Sequence, residues 1–147
     1  MRSIMPSLKR LGIAVIGLAL SLGADAAVAD VVAVVSAGSP VTTISKSQVA
    51  DIFLGRATQL PGGEQAVPID QPEGSTARNE FYFRFAEKSP AQLKAHWSKI
   101  IFTGRGQPPQ EVSNGIEVRK RVAKSPHAIG YIEPNLVDSG VRVLQLQ

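Results

Sequence analysis

The sequence contains no cysteine, and this absence excludes several kinds of site. Without a thiol there can be no disulfide bond, cysteine nucleophile, thiolate zinc site or iron–sulfur cluster. Histidine is nearly as scarce, since only His96 and His127 are present and no HExxH motif contains them. We therefore expect no protein-built metal site and no cofactor that depends on one.

A long basic stripe is missing as well. The chain has 147 residues and a formal net charge of +4, and its length favours a single domain. The densest basic cluster, Arg119-Lys120-Arg121 with Lys124, falls on a predicted helix whose other face is apolar. We interpret this cluster as a solvated helix face and expect no nucleic-acid partner.

The amino terminus has the layout of an export signal. Met1–Arg10 carries three basic residues and no acid, and Leu11–Gly23 is an uncharged, mostly apolar run followed by small residues. This run is shorter than the roughly 20 apolar residues that a transmembrane helix needs. We predict a signal peptide over residues 1–29, cut after Ala29, with a cut after Ala26 or a retained anchor as alternatives.

The remaining residues, 30–147, are predicted to form one domain in the periplasm. Cleavage would remove three Lys or Arg residues and one acidic residue, which lowers the net charge from +4 to +2. A chain of this length can bury one modest core.

Apolar spacing and turn residues predict the order β-α-β-α-α-α-β-β, and hence an α/β domain with a mixed sheet flanked by helices. The predicted strands are Val31–Ser36, Gln65–Asp70, Ala128–Ile132 and Val141–Leu146. The predicted helices begin at Ser45, Ser75, Ser89 and either Ser113 or Asn114. Pro68 indicates a strand end or an edge, and the alternating last strand also indicates an edge.

The helical spacing also predicts which side chains form the core. The candidates are Val49, Ile52, Phe53, Phe81, Phe85, Leu93, Trp97, Ile100, Ile101, Ile116, Val118 and Val122. Trp97 and Tyr131 have aromatic faces that suit a ligand, but their positions favour the core.

The segment Asp70–Arg78, between a predicted strand and a predicted helix, has the composition of an anion-binding corner. The first amides of a helix have no intrahelical acceptor and carry partial positive charge. Gly74 allows close approach of the backbone, and Ser75 and Thr76 add hydroxyl groups. The same residues are more often those of an ordinary helix cap, so composition alone favours a cap over an anion site.

Three segments together resemble the substrate-binding proteins of bacterial phosphate ABC transporters. They are PVTTISKSQVADIFLGR (residues 40–56), EGSTARNEF (Glu73–Phe81) and AIGYIE (Ala128–Glu133), and their order and spacing agree with that family. The resemblance implies one lobe of a periplasmic-binding-protein-like fold of type II. It also implies a non-catalytic protein that binds phosphate or a similar small oxyanion and serves an ABC transporter permease or another envelope protein.

The resemblance also implies the ligand-binding residues. Gly74 and Ser75 match the first Gly-Ser of the family's phosphate loop, and Arg78 matches its arginine. Thr76 and Ala77 stand where the family has Gly-Thr. The implied oxyanion-binding residues are therefore Gly74, Ser75, Thr76, Ala77 and Arg78.

Two departures from the family weaken the expected ligand binding. The family's phosphate-clamping arginine falls on Gln71, which lacks a charge and a bidentate donor fork, and we expect Arg78 to point to solvent rather than replace it. Family members also have two lobes, whereas this chain resembles one; a homodimer or the loop Gly104–Gln107 are open alternatives for the missing wall. An accessory module that has lost tight binding therefore remains the alternative function. An enzyme is least supported, because the sequence shows no cluster of acid, base and nucleophile and no GxSxG motif.

Overall fold

The computed structural model describes residues 30–147, so the predicted signal peptide lies outside the described residues. The four helices of this part are α1 (Lys46–Phe53), α2 (Thr76–Ala86), α3 (Pro90–Phe102) and α4 (Gly115–Ala123). Its strands are β1 (Val32–Ser36), β2 (Thr43–Ile44), β3 (Val67–Asp70), β4 (Gln110–Glu111), β5 (Ala128–Ile132), β6 (Val141–Val143) and β7 (Gln145–Leu146). Within residues 30–147 no helix has the length and apolar composition needed to cross a bilayer.

The predicted mixed sheet is confirmed. Five strands lie in the order β4-β3-β5-β1-β6, with β3 parallel to β4 and β5, and β1 antiparallel to β5 and β6. A separate parallel pair joins β2 to β7. The edge position predicted for the last strand is correct for β6.

Alternate residues of the central strands point to opposite sides of the sheet, so apolar side chains stand on both of its faces. Helices cover both faces. On one face, Ala33 and Val35 of β1 join a core cluster with residues of α1, α2 and α3. On the other face, Val34 joins a smaller cluster with Val118 and Val122 of α4. The structure is thus a three-layer α/β arrangement.

The predicted helix starts are confirmed, with one alternative resolved. Ser45 and Ser89 each form a capping box with the glutamine three residues later. Asn114, not Ser113, caps α4 through its side-chain oxygen. Ser75 caps α2.

Two predicted core residues are wrong. Ile101 is 55% exposed and Ile116 is 42% exposed. In α3, Leu93 and Trp97 define the inward stripe, and Ile100 rather than Ile101 continues it against the core. In α4, Val118 and Val122 are one turn apart and face the sheet, which leaves Ile116 on another side of the helix.

The predicted last strand is also incorrect as one unit. It divides into β6 in the main sheet and β7 beside β2, with Leu144 buried between them. The short strands β2 and β4 were not predicted, because two residues are too few to show a period. Strand β4 pairs with Ile69 and Asp70 of β3. Pro68 precedes both residues, so the edge of β3 that faces β4 has no partner strand at Pro68.

Candidate functional site

The corner between β3 and α2 is built as a helix amino terminus. Gly74 has a φ of 86°, which glycine adopts without strain, and Ser75 follows in an extended conformation. The Ser75 hydroxyl accepts a hydrogen bond from the Arg78 amide at 3.2 Å. In the described part of the chain, the amides of Gly74, Thr76 and Ala77 have no acceptor. The side chain of Ala77 is buried, so this residue offers only its backbone.

A carboxylate of the chain itself lies at this corner. Glu111 Oε1 accepts a hydrogen bond from the Glu73 amide at 3.2 Å, and its Oε2 lies 3.5 Å from Arg78 Nη1. Glu111 reaches this position because β4 pairs in parallel with β3, which sets Glu111 beside Asp70. Glu111 is not recognisable as a site residue from the sequence, since the pairing of β3 with β4 leaves no local pattern. An external anion would compete with Glu111 for these donors.

Arg78 does not point to solvent, contrary to expectation. Its side chain is only 13% exposed, and Nη1 donates to the Gln71 carbonyl at 3.1 Å. The guanidinium also lies over the ring of Tyr82, 5.7 Å from the ring centroid. These contacts hold the positive charge of Arg78 at the corner, where it also pairs with the Glu111 carboxylate.

Gln71 belongs to the core and not to the open corner. The residue is 2% exposed, and its side-chain amide donates to the Tyr131 carbonyl of β5 at 2.9 Å. The backbone amide of Gln71 donates to Asp70 Oδ1 at 2.8 Å. The Gln71 side chain, which stands where the resemblance places the phosphate-clamping arginine, therefore links the end of β3 to β5 and adds no charge to the site.

A buried polar cluster lies directly beneath the corner. Asp70 accepts hydrogen bonds from the hydroxyls of Tyr82, at 2.5 Å, and of Tyr131. Burial raises the pKa of the Asp70 carboxyl, although the hydrogen bonds from both tyrosines oppose this shift. Burial also raises the pKa values of Tyr82 and Tyr131. The cluster fixes the end of β3, from which the corner starts.

The aromatic residues considered as ligand platforms lie mainly in the core. Tyr131 is fully buried and stacks on Phe81, with ring centroids 4.0 Å apart. Trp97 is 6% exposed, and Gly55 packs against its ring. The expectation that Trp97 and Tyr131 are core residues is confirmed.

A groove begins at the corner and follows α3. Its cavity volume is about 230 Å³, and its lining includes Arg78 and Glu111. Leu93, Trp97 and Ile101 line its apolar part. Trp97 Nε1 is buried and has no hydrogen-bond acceptor within residues 30–147. The lining of the groove thus combines charged side chains of both signs with apolar ones.

No protein-family model matches this sequence, and no curated protein matches it. Solved structures define the class instead: the chain has the α/β fold of the binding proteins of phosphate ABC transporters. One similar structure, from Clostridium perfringens, is described as a phosphate ABC transporter substrate-binding protein with bound phosphate. The TM-score is 0.63 at 20% identity, covering 80% of this chain and 44% of that one.

Two further structures support the same fold. An ABC-type phosphate transport receptor from Vibrio cholerae has a TM-score of 0.62 at 18% identity, with 80% of this chain and 46% of that chain covered. PstS from Borrelia burgdorferi has a TM-score of 0.56 at 18% identity, with 80% and 47% covered. This chain thus spans less than half the length of each structure. The fold implied by the sequence resemblance is confirmed, in a short form.

Proposed function

We propose that this protein is an exported, non-catalytic binding protein that holds phosphate or a similar small oxyanion at the amino terminus of α2. The observation that carries the proposal is the set of unpaired amides at Gly74, Thr76 and Ala77 beside the positive charge of Arg78. Amides and a helix dipole aimed at one point favour an anion. The fold shared with phosphate-binding proteins supports the same reading.

We expect this binding to be weak. The Glu111 carboxylate competes for Arg78 and for the Glu73 amide, and Gln71 adds no charge. The corner is also open to water, which lowers the net gain from each hydrogen bond. A partner such as a transporter permease, another envelope protein or a second copy of the chain would strengthen binding by covering the corner.

The test is a titration of the ¹⁵N-labelled protein with phosphate and, separately, with sulfate, followed by NMR. Phosphate should shift the amides of residues 73–78 most. Glu111→Gln should tighten binding about tenfold, because it removes a competing charge worth about 1.4 kcal/mol. Glu117→Gln is the matched control, since Glu117 pairs with Lys120 on the exposed surface of α4.

The proposal fails if neither protein form shows amide shifts at about 10 mM phosphate. Unchanged affinity in Glu111→Gln would separately contradict the competing role of Glu111. Equal tightening by Glu117→Gln would mean that the effect reflects overall charge and not the corner.

A second candidate function is an accessory module that keeps the fold without tight ligand binding. The observation that favours it is the occupation of the corner by Glu111, which satisfies part of the site from within the chain. The absence of amide shifts in the phosphate titration, together with one defined envelope partner recovered by crosslinking in cells, would support this function over the first.

A further inference from the structure

An ion pair of α2 holds the start of the described domain. The Val31 amide donates to Glu80 Oε1 at 3.1 Å, and the Val31 carbonyl accepts from Arg84 Nη1 at 2.9 Å. Glu80 and Arg84 are one helical turn apart, and Arg84 Nη1 lies 3.7 Å from Glu80 Oε1. Val31 itself is buried. The chain therefore enters the fold at a fixed point immediately before β1.

The Glu80 carboxylate can accept a further donor at this point. Oε1 takes the Val31 amide, whereas Oε2 is buried and has no hydrogen-bond partner among residues 30–147. An ionised carboxylate has about four acceptor sites, and a buried charged oxygen without a donor is destabilising. A positively charged donor close to Val31 would remove this deficit.

We propose that Glu80 is the docking site for the mature amino terminus of this protein. Hydrolysis of the peptide bond between Ala29 and Asp30 by a signal peptidase consumes one water, leaves a carboxylate on Ala29 and creates an ammonium group on Asp30. That ammonium pairs with Glu80 Oε2. The inference takes from the proposed function only export through a cleaved signal peptide, and it does not depend on phosphate.

Backbone connectivity brings the new ammonium within reach of Glu80. Asp30 directly precedes Val31, whose amide already bonds to this carboxylate, and adjacent residues are about 3.8 Å apart. Asp30 is exposed, so its nitrogen can turn toward Oε2 without disturbing the core. A cut after Ala26 would leave three more residues and carry the ammonium about 10 Å further along an extended chain. The site therefore favours the cut after Ala29.

The charges at this position favour an ammonium over the uncharged amide that it replaces. The carboxylates of Glu80 and Asp30 attract it, and the Arg84 guanidinium opposes them. An ammonium forms charge-assisted hydrogen bonds, which are about twice as strong as neutral ones. Removal of the signal peptide would thus strengthen the attachment of β1 to α2, so the domain would become more stable once it has been processed.

The experiment starts from the full chain, expressed with its signal in bacteria and purified from the periplasm. The intact mass identifies the cut, which we expect immediately before Asp30. Competitive acetylation at different pH values, read by mass spectrometry of the tryptic peptide of residues 30–46, measures the proton affinity of the α-amino group. This affinity should be about tenfold higher than that of an ordinary α-amino group, because an opposite charge lies close to it.

Three variants identify the partner of the amino group. Glu80→Gln keeps an oxygen acceptor for the Val31 amide but removes the charge, so the proton affinity should return to the ordinary value. Glu117→Gln makes the same charge change on the exposed surface of α4 and should leave the affinity raised. Insertion of Gly-Ser between Ala29 and Asp30 moves the amino group away from an intact Glu80, and it should also restore the ordinary value.

Several results would overturn the inference. One is an exported protein that begins at a residue other than Asp30, and another is an ordinary proton affinity in the original protein. Equal affinities in Glu80→Gln and Glu117→Gln would mean that Glu80 is only a structural clamp on Val31. A chain that is neither exported nor cleaved would also contradict the export part of the proposed function, whereas a failed phosphate titration would leave the docking result unchanged.

Discussion

At the scale of single residues, single substitutions can separate the capping role of the corner from its proposed ligand role. The Ser75 hydroxyl caps α2 by accepting the Arg78 amide, a structural role. The unpaired amides beside it are the part available to an anion. Because the cap requires only an oxygen acceptor, changing the charge at position 75 tests the ligand role without removing the cap.

Replacing Ser75 by alanine or by aspartate should therefore give different results. Ser75→Ala loses the cap, and its free energy of unfolding should fall by about 1 kcal/mol. Ser75→Asp keeps a good cap, so its stability should stay within about 0.5 kcal/mol of the original protein. Its added negative charge should abolish the phosphate-induced amide shifts.

Urea denaturation and NMR titration check these two results. Phosphate shifts that persist unchanged in Ser75→Asp would place the anion elsewhere. Loss of stability in Ser75→Asp equal to that in Ser75→Ala would contradict the capping role assigned to the side-chain oxygen.

The buried Asp70 carboxyl should make stability depend on pH. Its pKa is raised above the ordinary 3.8 by burial, so between 3.8 and the higher folded value the folded state binds more protons than the unfolded state. The free energy of unfolding contributed by this group therefore decreases as pH rises through that window. Asp70→Asn lacks the titration, so the stability difference, original minus variant, should fall as pH rises above about 4.

Paired urea denaturation curves from pH 3 to pH 8 measure this difference. Surface carboxylates titrate equally in both proteins and cancel in the subtraction. A difference that rises with pH would mean that hydrogen bonds from Tyr82 and Tyr131 outweigh the burial of Asp70.

At the scale of elements, α4 packs closely on β5 and covers the second face of the sheet. Gly130 of β5 lies beneath the helix, and a Cβ added there would come within 2.5 Å of Val118 Cγ1 and 3.1 Å of Val122 Cγ2. All five residues of β5 are buried, and position 130 has no room for a side chain. A larger residue would force α4 away from the strand.

Gly130→Ala should lower the free energy of unfolding by about 1–3 kcal/mol, the usual cost of overpacking a core. Gly38→Ala is the matched control, because its added Cβ would meet only Ser36 Oγ at 3.8 Å. Thermal unfolding followed by circular dichroism measures both. Equal melting temperatures for the two variants would show that α4 moves away without loss.

At the scale of the whole molecule, the match covers less than half of each transporter binding-protein structure whose fold the chain shares. The described part nevertheless contains a sheet with a core cluster on each face. The corner is therefore built on a sheet that is packed on both faces, and we expect that tight binding under the proposed function would require a second surface.

The sequence alone predicts much of this fold, because local signals suffice for it. The capping residues Ser45, Ser75 and Ser89 mark helix starts through hydrogen bonds within three residues. Continuous, mostly apolar runs such as those of β1 and β5 are recognisable as buried strands. The two-residue strands and the break at Leu144 are not predictable in this way, because pairing with distant residues creates them.

The sequence by itself determined the α/β class and the helix that opens at Ser75, since both depend on neighbouring residues. Only the tertiary structure decided what surrounds that helix end. The parallel pairing of β3 with β4 brings Glu111 to the corner, and packing against β5 buries Gln71. The physical reason is that charge competition and burial arise between residues far apart in the chain, where no local pattern records them.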